Sequence, residues 1–594
     1  MLGGTGSLED RSRKAWDLHL PKTDQPSAKF DPLDLIKFRN LSDAWARHWT
    51  QSPNKELFCS TECLGDDRHS TKCISYQQAE RISYQLAHAL ALANVGKGDR
   101  VILSGQPSIE FALIVMALIR AGIVLIATNP SLSDREFAYI IGDSSPKTII
   151  GDSSLLARIS NKFETDIELL DLQSIFSDAC GHSGPAPVGG PTPVGRSAPV
   201  GGSAPVGGSA PVGGPAPVGR RLVADEMRES NLTNDFLAED ISLSDPAIIS
   251  YTSGTTGAPK GAVLSHQNLL ANSASITAAW RWEECDRLFL ALPLYHAHGL
   301  CNGLLGTLYC GATLVAAGRF DAQDCLEKIQ STKSTMFFGV PTMYQRLIQQ
   351  TNVSDMRTLR LCVSGSAPLA PTLFSKFYAA SGLEPLERYG ATEVLMAISN
   401  PYDGKRKPGK VGIPLPGVEI RLAEDGEVLV RSPMVFSRYW NRDIETTESL
   451  VDGWYHTGDI ATQDDDGYFE IVGRSKELII SGGMNVYPKE IEQIIGQVDG
   501  VLEVGVIGLS SREWGEQVTA LVVPNAVDSQ SNDELEEAIS AVCKEQLAPY
   551  KRPKKILFTE RLPRNSLGKL IRSELAGLIE TQDSGYVVYS SAEE

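Results

Sequence analysis

Positive charge is scarce in this chain: 55 Lys and Arg stand against 73 Asp and Glu, a formal net charge of −18. That balance repels nucleic-acid phosphates outside any local basic patch and argues against a nucleic-acid partner. Long apolar runs are missing as well. No stretch approaches the roughly 18–20 uninterrupted apolar residues of a membrane helix. The N-terminal segment MLGGTGSLEDRSRKAWDLHL lacks the apolar core of a signal peptide, and its Glu9 and Asp10 disfavour a transit peptide. The closing SSAEE is not the S-K-L peroxisomal address. Together these absences point to a cytoplasmic protein. Cysteine is sparse, 10 in 594 residues, with no C-x-x-C pair. Cys59, Cys63, His69 and Cys73 offer zinc-type donors, but their spacing fits no common finger. They read as reduced thiols in a strand–loop–strand.

What is present is a long, soluble, multidomain α/β pattern. A chain of 594 residues with 42% apolar content exceeds a single compact core. From Tyr76 onward, helical stretches with Ile82, Leu86 and Leu90 on one face alternate with short apolar runs such as IVLIAT and KTIIG. Ser133 is a good N-cap for the helix that follows it. Strand–helix–strand repetition predicts mostly parallel sheets covered by helices. The rhythm is interrupted at 184–219, where Pro-Val-Gly recurs six times at six-residue intervals. That Pro/Gly-rich tract holds no P-x-x-P ligand motif and is expected as a disordered insertion. After Arg474 the pattern changes to a small α+β unit. The expected organisation is therefore a tail at 1–29, a large domain at 30–473, a small domain at 474–580 and a second tail at 581–594.

Chemistry concentrates in YTSGTTGAPKG, Tyr251 to Gly261. This is not the common G-x-x-x-x-G-K-[ST] phosphate loop, because Lys260 follows Gly257 by three residues. Its glycines, the hydroxyls of Thr252, Ser253, Thr255 and Thr256, and the Lys260 charge nevertheless suit an anion, between a strand and a helix. Three further stretches complete a constellation. ERYGATEV offers the aromatic Tyr389 and, in Glu393, a magnesium ligand. GWYHTGDI ends in Asp459, a carboxylate suited to ribose hydroxyls. PRNSLGKLIR presents Lys569 after a glycine turn.

The set TSGTTGAPKG, LPLYHAHG, YGATE, YHTGD, GRSKELIISGG and PRNSLGK resembles the adenylate-forming acyl-CoA synthetase superfamily, from about Phe30 to Ile579. The resemblance implies a large N-terminal domain with a mobile C-terminal lid. It also implies two steps, in which a carboxylate takes AMP from MgATP and coenzyme A then displaces AMP. Carried over residue by residue, Thr252, Ser253, Gly254, Thr255, Thr256, Gly257 and Lys260 would hold ATP phosphates. Tyr389, Gly390 and Ala391, with Ser366 and Ala367, would enclose adenine, and Asp459 with Arg474 would hold the ribose. Thr392 and Glu393 would serve phosphate and Mg²⁺, and Lys569 would bridge the substrate carboxylate and the α-phosphate. His296 would gate the pantetheine tunnel, walled by Gly482 and Gly483, and Lys476 would be the hinge.

The stretches ERYGATEVLMAISNPYDGKRKPGKVGIPLPGVEIRL and PRNSLGK resemble malonyl-CoA synthetases in particular. Arg319, at a strand end before STMFFGVPTMY, could bind a second carboxylate bidentately, with Met396 helping to shape the pocket. Its alternative is an ordinary pairing with Asp321. The family's usual Met in YGMTE is Ala391 here, which widens the acyl floor. A medium-chain or aryl acid remains open as substrate, as does a carrier protein reached through Lys551, Arg552, Lys554 and Lys555. A non-catalytic nucleotide binder is the remaining class.

Overall fold

The computed structural model describes residues 8–20, 37–60, 72–162, 167–175, 240–252, 259–525, 531–565, 569–580 and 588–589. The Pro-Val-Gly tract, Cys63 and His69 lie outside them. Two large sheets build the N-terminal domain. One has the spatial order Arg438–Tyr439, Lys260–Ser265, Pro246–Thr252, Val124–Thr128, Arg100–Ser104, Thr148–Gly151 and Glu168–Asp171. Its five strands from Pro246–Thr252 to Glu168–Asp171 are parallel, and the other two join antiparallel. The other sheet has nine strands, with Leu288–Leu290, Met336–Phe338, Leu361–Ser364 and Leu386–Glu387 in parallel register at its centre.

Helices Ile109–Arg120 and His266–Ala279 lie in the core shared by these sheets. Ile109–Arg120 is buried at every residue but Glu110, as expected of a segment apolar over most of its surface. The expected cap at Ser133 forms a full capping box with Glu136. A smaller antiparallel sheet, from Glu419–Leu422 to Phe469–Arg474, ends the domain. Beyond the turn Ser475–Glu477 a separate sheet begins with Ile479–Ser481, centred on the strands Val501–Ser511 and Gly515–Pro524 and packed with helices Pro488–Ile495 and Asn532–Gln546. The expected α/β architecture with a smaller α+β C-terminal domain is therefore present.

Three expectations are corrected. The stretch read as an N-terminal tail carries helix Leu8–His19, whose Trp16 Nε1 donates to the Val418 carbonyl at 3.0 Å. The strand Val588–Tyr589, in the second expected tail, pairs with Lys555–Phe558. The two strands expected near Cys59 are present, Glu56–Ser60 and Lys72–Ser75, but Cys59 and Cys73 face each other in their antiparallel ladder and form a disulfide, so they are not reduced thiols. Spacing alone carries no information about strand register, and register places the two sulfurs together.

Candidate functional site

Loops at the carboxyl ends of parallel strands in both large sheets enclose one cavity of about 1780 Å³. Open α/β sheets bind ligands at this position. The volume exceeds the roughly 300–1,000 Å³ of a single small-ligand pocket, so it has room for more than one reactant.

The phosphate-loop segment enters as a β-hairpin. Pro246–Thr252 and Lys260–Ser265 are antiparallel, with Thr252 opposite Lys260. The expected strand–loop–helix order is corrected here, because a six-residue strand separates the loop from helix His266–Ala279. Ser253, Gly254, Thr255, Thr256 and Gly257 lie outside the described residues. Thr252 Oγ1 donates to the Lys260 carbonyl at 3.3 Å, and the preceding Tyr251 hydroxyl donates to Asp143 Oδ2 at 2.6 Å. Lys260 Nζ lies 5.2 Å from the Tyr439 ring centroid.

The opposite wall joins three strands. Tyr389 Oη donates to Asp459 Oδ2 at 2.6 Å, and Arg474 Nε pairs with Asp459 Oδ1 at 2.8 Å. Asp459 and Arg474 are direct partners across an antiparallel ladder, which fixes their spacing. Burial and the Asp459 charge push the Tyr389 hydroxyl far above its ordinary range. Glu393 is buried in the turn after strand Leu386–Ala391, accepts from the Tyr439 hydroxyl at 2.9 Å, and is raised chiefly by burial. From the C-terminal domain, Lys569 borders the same cavity. Burial, and then Arg474, lower its ammonium below the usual lysine range.

A second cluster lies at the other end of Tyr389's strand. Arg388 is only 6% exposed, yet its Nε and Nη2 have no hydrogen-bond partner. Burial lowers its guanidinium to about 9. It fits only because Gly365 stands beside it, where a Cβ would come 2.2 Å from the guanidinium carbon. His298, likewise buried, has an unpartnered Nε2, and its Nδ1 is 3.3 Å from Ser366 Oγ. Ser366 holds φ at +68°, a left-handed conformation uncommon outside glycine. Desolvation lowers His296 to about 4 and His298 further still, so both imidazoles are neutral near pH 7. His298 opens a π-helical segment, His298–Leu304, a geometry frequent at functional sites. That segment runs directly into helix Leu305–Cys310.

The chain is similar to known proteins. The AMP-binding enzyme family matches residues 45–440, and its C-terminal domain matches residues 490–569. The chain belongs to the AMP-binding enzyme family. A malonate–CoA ligase of Arabidopsis thaliana is 38% identical over 385 residues, 59% of this chain and 63% of that protein's length. A feruloyl-CoA synthase of Amycolatopsis is 32% identical over 522 residues, 86% of this chain and 94% of that one. The crystal structure of ATP-bound MatB from Rhodopseudomonas palustris superposes with a TM-score of 0.76 at 32% identity, covering 91% of this chain and 99% of that one. The first is in line with the malonyl-CoA synthetase likeness of the 387–422 stretch.

In this AMP-binding enzyme the cavity brings together Thr252, Lys260, His296, Ser366, Ala367, Tyr389, Gly390, Ala391, Thr392, Glu393, Asp459, Arg474, Lys476 and Lys569. Four residues expected at the site are elsewhere. Arg319 is exposed beyond its strand end and does not border the cavity. Met396 is fully buried, because its side chain packs into the main core. Gly482 and Gly483 form an exposed turn with φ of +59° and +77°, away from the cavity. Arg388 was missed. Its signal was an arginine one residue before Tyr389, inside a stretch ranked for its aromatic and its carboxylate. Of the basic cluster, Lys551 is paired with Glu490, and Arg552 donates to the Leu547 and Lys544 carbonyls.

Proposed function

We propose that this chain is an AMP-forming acid–thiol ligase acting on malonate or a substituted malonate. The observation that carries the substrate is Arg388, a buried guanidinium with two unpaired N–H donors bordering the same cavity as Tyr389, Asp459 and Lys569. An unpaired buried cation is costly, and a ligand carboxylate is the natural partner for its planar fork. In this reading the far carboxylate of the acid lies at Arg388, with neutral His298 donating from Nε2. The near carboxylate oxygen attacks the ATP α-phosphorus, the bond to the pyrophosphate oxygen breaks, and an acyl-adenylate forms. Lys569 neutralises charge gathering around the α-phosphate. The coenzyme A sulfur then attacks the acyl carbonyl, the thiol proton leaves, and AMP departs.

Glu393, with Thr392 beside it, suits Mg²⁺, which takes one or two carboxylates together with substrate phosphates. When bound, Mg²⁺ neutralises and orients those phosphates. The residues beyond Lys476 would act as the lid, turning at that position.

The test is AMP release with MgATP and coenzyme A across a panel of acids. Arg388→Gln should lower the malonate-to-butyrate ratio of kcat/KM about 10- to 100-fold, the worth of a charged hydrogen bond, while exposed Arg319→Leu leaves it unchanged. An unmoved ratio in Arg388→Gln overturns the dicarboxylate reading, and failure to release AMP with any acid overturns the ligase itself.

A further inference from the structure

The two phosphate-facing elements of this site, the hairpin carrying Lys260 and the turn carrying Glu393, are distant in sequence and share one neighbour. Residues 436–440 run between them. Phe436 N donates to the Glu393 carbonyl at 2.7 Å, and Trp440 N donates to the Gly261 carbonyl at 2.7 Å. Between these anchors, Tyr439 pairs with Ala262 in a two-residue edge strand. Its hydroxyl donates to Glu393 Oε1 at 2.9 Å, and its ring lies 5.2 Å from Lys260 Nζ.

We propose that Tyr439 is a positioning residue with two separable actions, its hydroxyl fixing the Glu393 carboxylate and its ring seating the Lys260 ammonium. The proposal rests on Glu393 as the magnesium ligand and Lys260 as a phosphate contact.

The hydroxyl action follows from bond counting. A phenol has one proton to donate, and Tyr439 spends it on a carboxylate oxygen that cannot donate back. The Tyr455 hydroxyl, 3.2 Å from that of Tyr439, therefore donates into it and completes a short polarised chain. One Glu393 oxygen is thus committed to the protein, and the carboxylate plane is fixed with the other oxygen left for the metal. Groups hydrogen-bonded behind a metal ligand tune affinity in this way. The ring action is a cation over an aromatic face, which holds a lysine direction without consuming any of its three donors. Phe436 braces the ring edge-on at 4.6 Å, and Tyr439 is nearly fully buried, so its position is set before any ligand arrives.

Tyr439→Phe deletes the first action and keeps the second, whereas Tyr439→Leu deletes both. The readouts are Mn²⁺ affinity of the enzyme–α,β-methylene-ATP complex by electron paramagnetic resonance, and affinity for the same analogue in EDTA. Glu393→Gln and Lys260→Ala are the references, and thermal melts verify folding. Tyr439→Phe should weaken Mn²⁺ about 10-fold or more and leave metal-free nucleotide affinity unchanged. Tyr439→Leu should show the same Mn²⁺ loss and also weaken metal-free nucleotide binding about 3- to 10-fold, as Lys260→Ala does. If Glu393→Gln weakens Mn²⁺ and Tyr439→Phe does not, the hydroxyl action is overturned. If Tyr439→Leu matches Tyr439→Phe in EDTA while Lys260→Ala is weakened, the ring action is overturned. If Glu393→Gln leaves Mn²⁺ affinity intact, the metal reading itself fails and takes the hydroxyl action with it. Should Tyr439→Leu not fold, Tyr439→Phe alone still decides the hydroxyl action, and the ring-free Tyr439→Met replaces Tyr439→Leu for the ring.

Discussion

At the scale of single residues, the site holds charge where burial opposes it. Beside Arg388 sits Glu387, also buried and also bordering the cavity. Its Oε1 accepts from Leu369 N at 2.8 Å, while Oε2 has no partner. Burial raises this carboxyl to about 7, with Lys489 pulling it down and Glu470 pushing it up. A folded-state value above the unfolded one means that the folded protein holds this proton more tightly. The resulting stability is fully present below about pH 4.3, the unfolded value, and is lost as pH rises through about 7. Glu387→Gln keeps an acceptor for Leu369 and removes the titration. Its urea midpoint should match wild type near pH 4.5 and exceed it at pH 8, by on the order of 3–4 kcal/mol in unfolding free energy. Parallel pH profiles for the two proteins would show that Glu387 stays charged. The adjacent pair also shows where reading the sequence stopped. Glu387 and Arg388 are consecutive in one strand, and nothing in LERYGATE says that both are buried. For Arg388 that depends on Gly365, the residue that follows the neighbouring strand Leu361–Ser364. Arg319 drew attention instead because a charge at a strand end is visible in one dimension.

At the scale of elements, local signals were the legible ones. The Ser133 cap, the alternation of apolar strands with amphipathic helices, and the strand ahead of the phosphate loop each depend on residues a few positions apart. Long-range register was not legible, and two corrections follow from it: the β-hairpin that replaces a strand–loop–helix, and the Cys59–Cys73 bridge between strands Glu56–Ser60 and Lys72–Ser75. The bridge closes a loop of 14 residues at the edge of the nine-stranded sheet. Chain-entropy arguments assign such a loop about 3 kcal/mol of stabilisation. Cys73→Ser should therefore lower the urea midpoint of the N-terminal domain in the absence of reductant, and dithiothreitol should bring wild type down to the same value. If wild type already melts like Cys73→Ser without reductant, the thiols are free in solution. AMP release at saturating substrates should hardly change, since neither cysteine borders the cavity.

At the scale of the whole molecule, the expectation of one site assembled from both ends of the chain meets a specific arrangement. Lys569 borders the cavity with Tyr389 and Asp459, while the Gly482–Gly483 turn stands exposed away from it. That is the geometry the proposed adenylation step requires. The C-terminal domain carries Lys569 three residues ahead of a well-anchored arginine. Arg572 donates to Glu477 Oε2 at 2.9 Å, to both oxygens of Glu492 at 2.5 and 2.9 Å, and to the Val506 carbonyl at 2.8 Å. Glu477 thus belongs to the lid, and Arg474, paired with Asp459, belongs to the large domain. Ser475 and Lys476 are all that lies between, both exposed, in a 3₁₀ turn. A pivot there is separable from the chemistry. Proline fits the φ of a 3₁₀ turn and then forbids its rotation. Lys476→Pro should keep acid-dependent pyrophosphate exchange and lose thioester formation from a supplied acyl-adenylate. Lys569→Ala should do the reverse, losing about 3 kcal/mol or more in adenylation while sparing the second step. Equal loss of both half-reactions in either variant would mean that one fixed arrangement performs the whole reaction, with no rotation at Lys476.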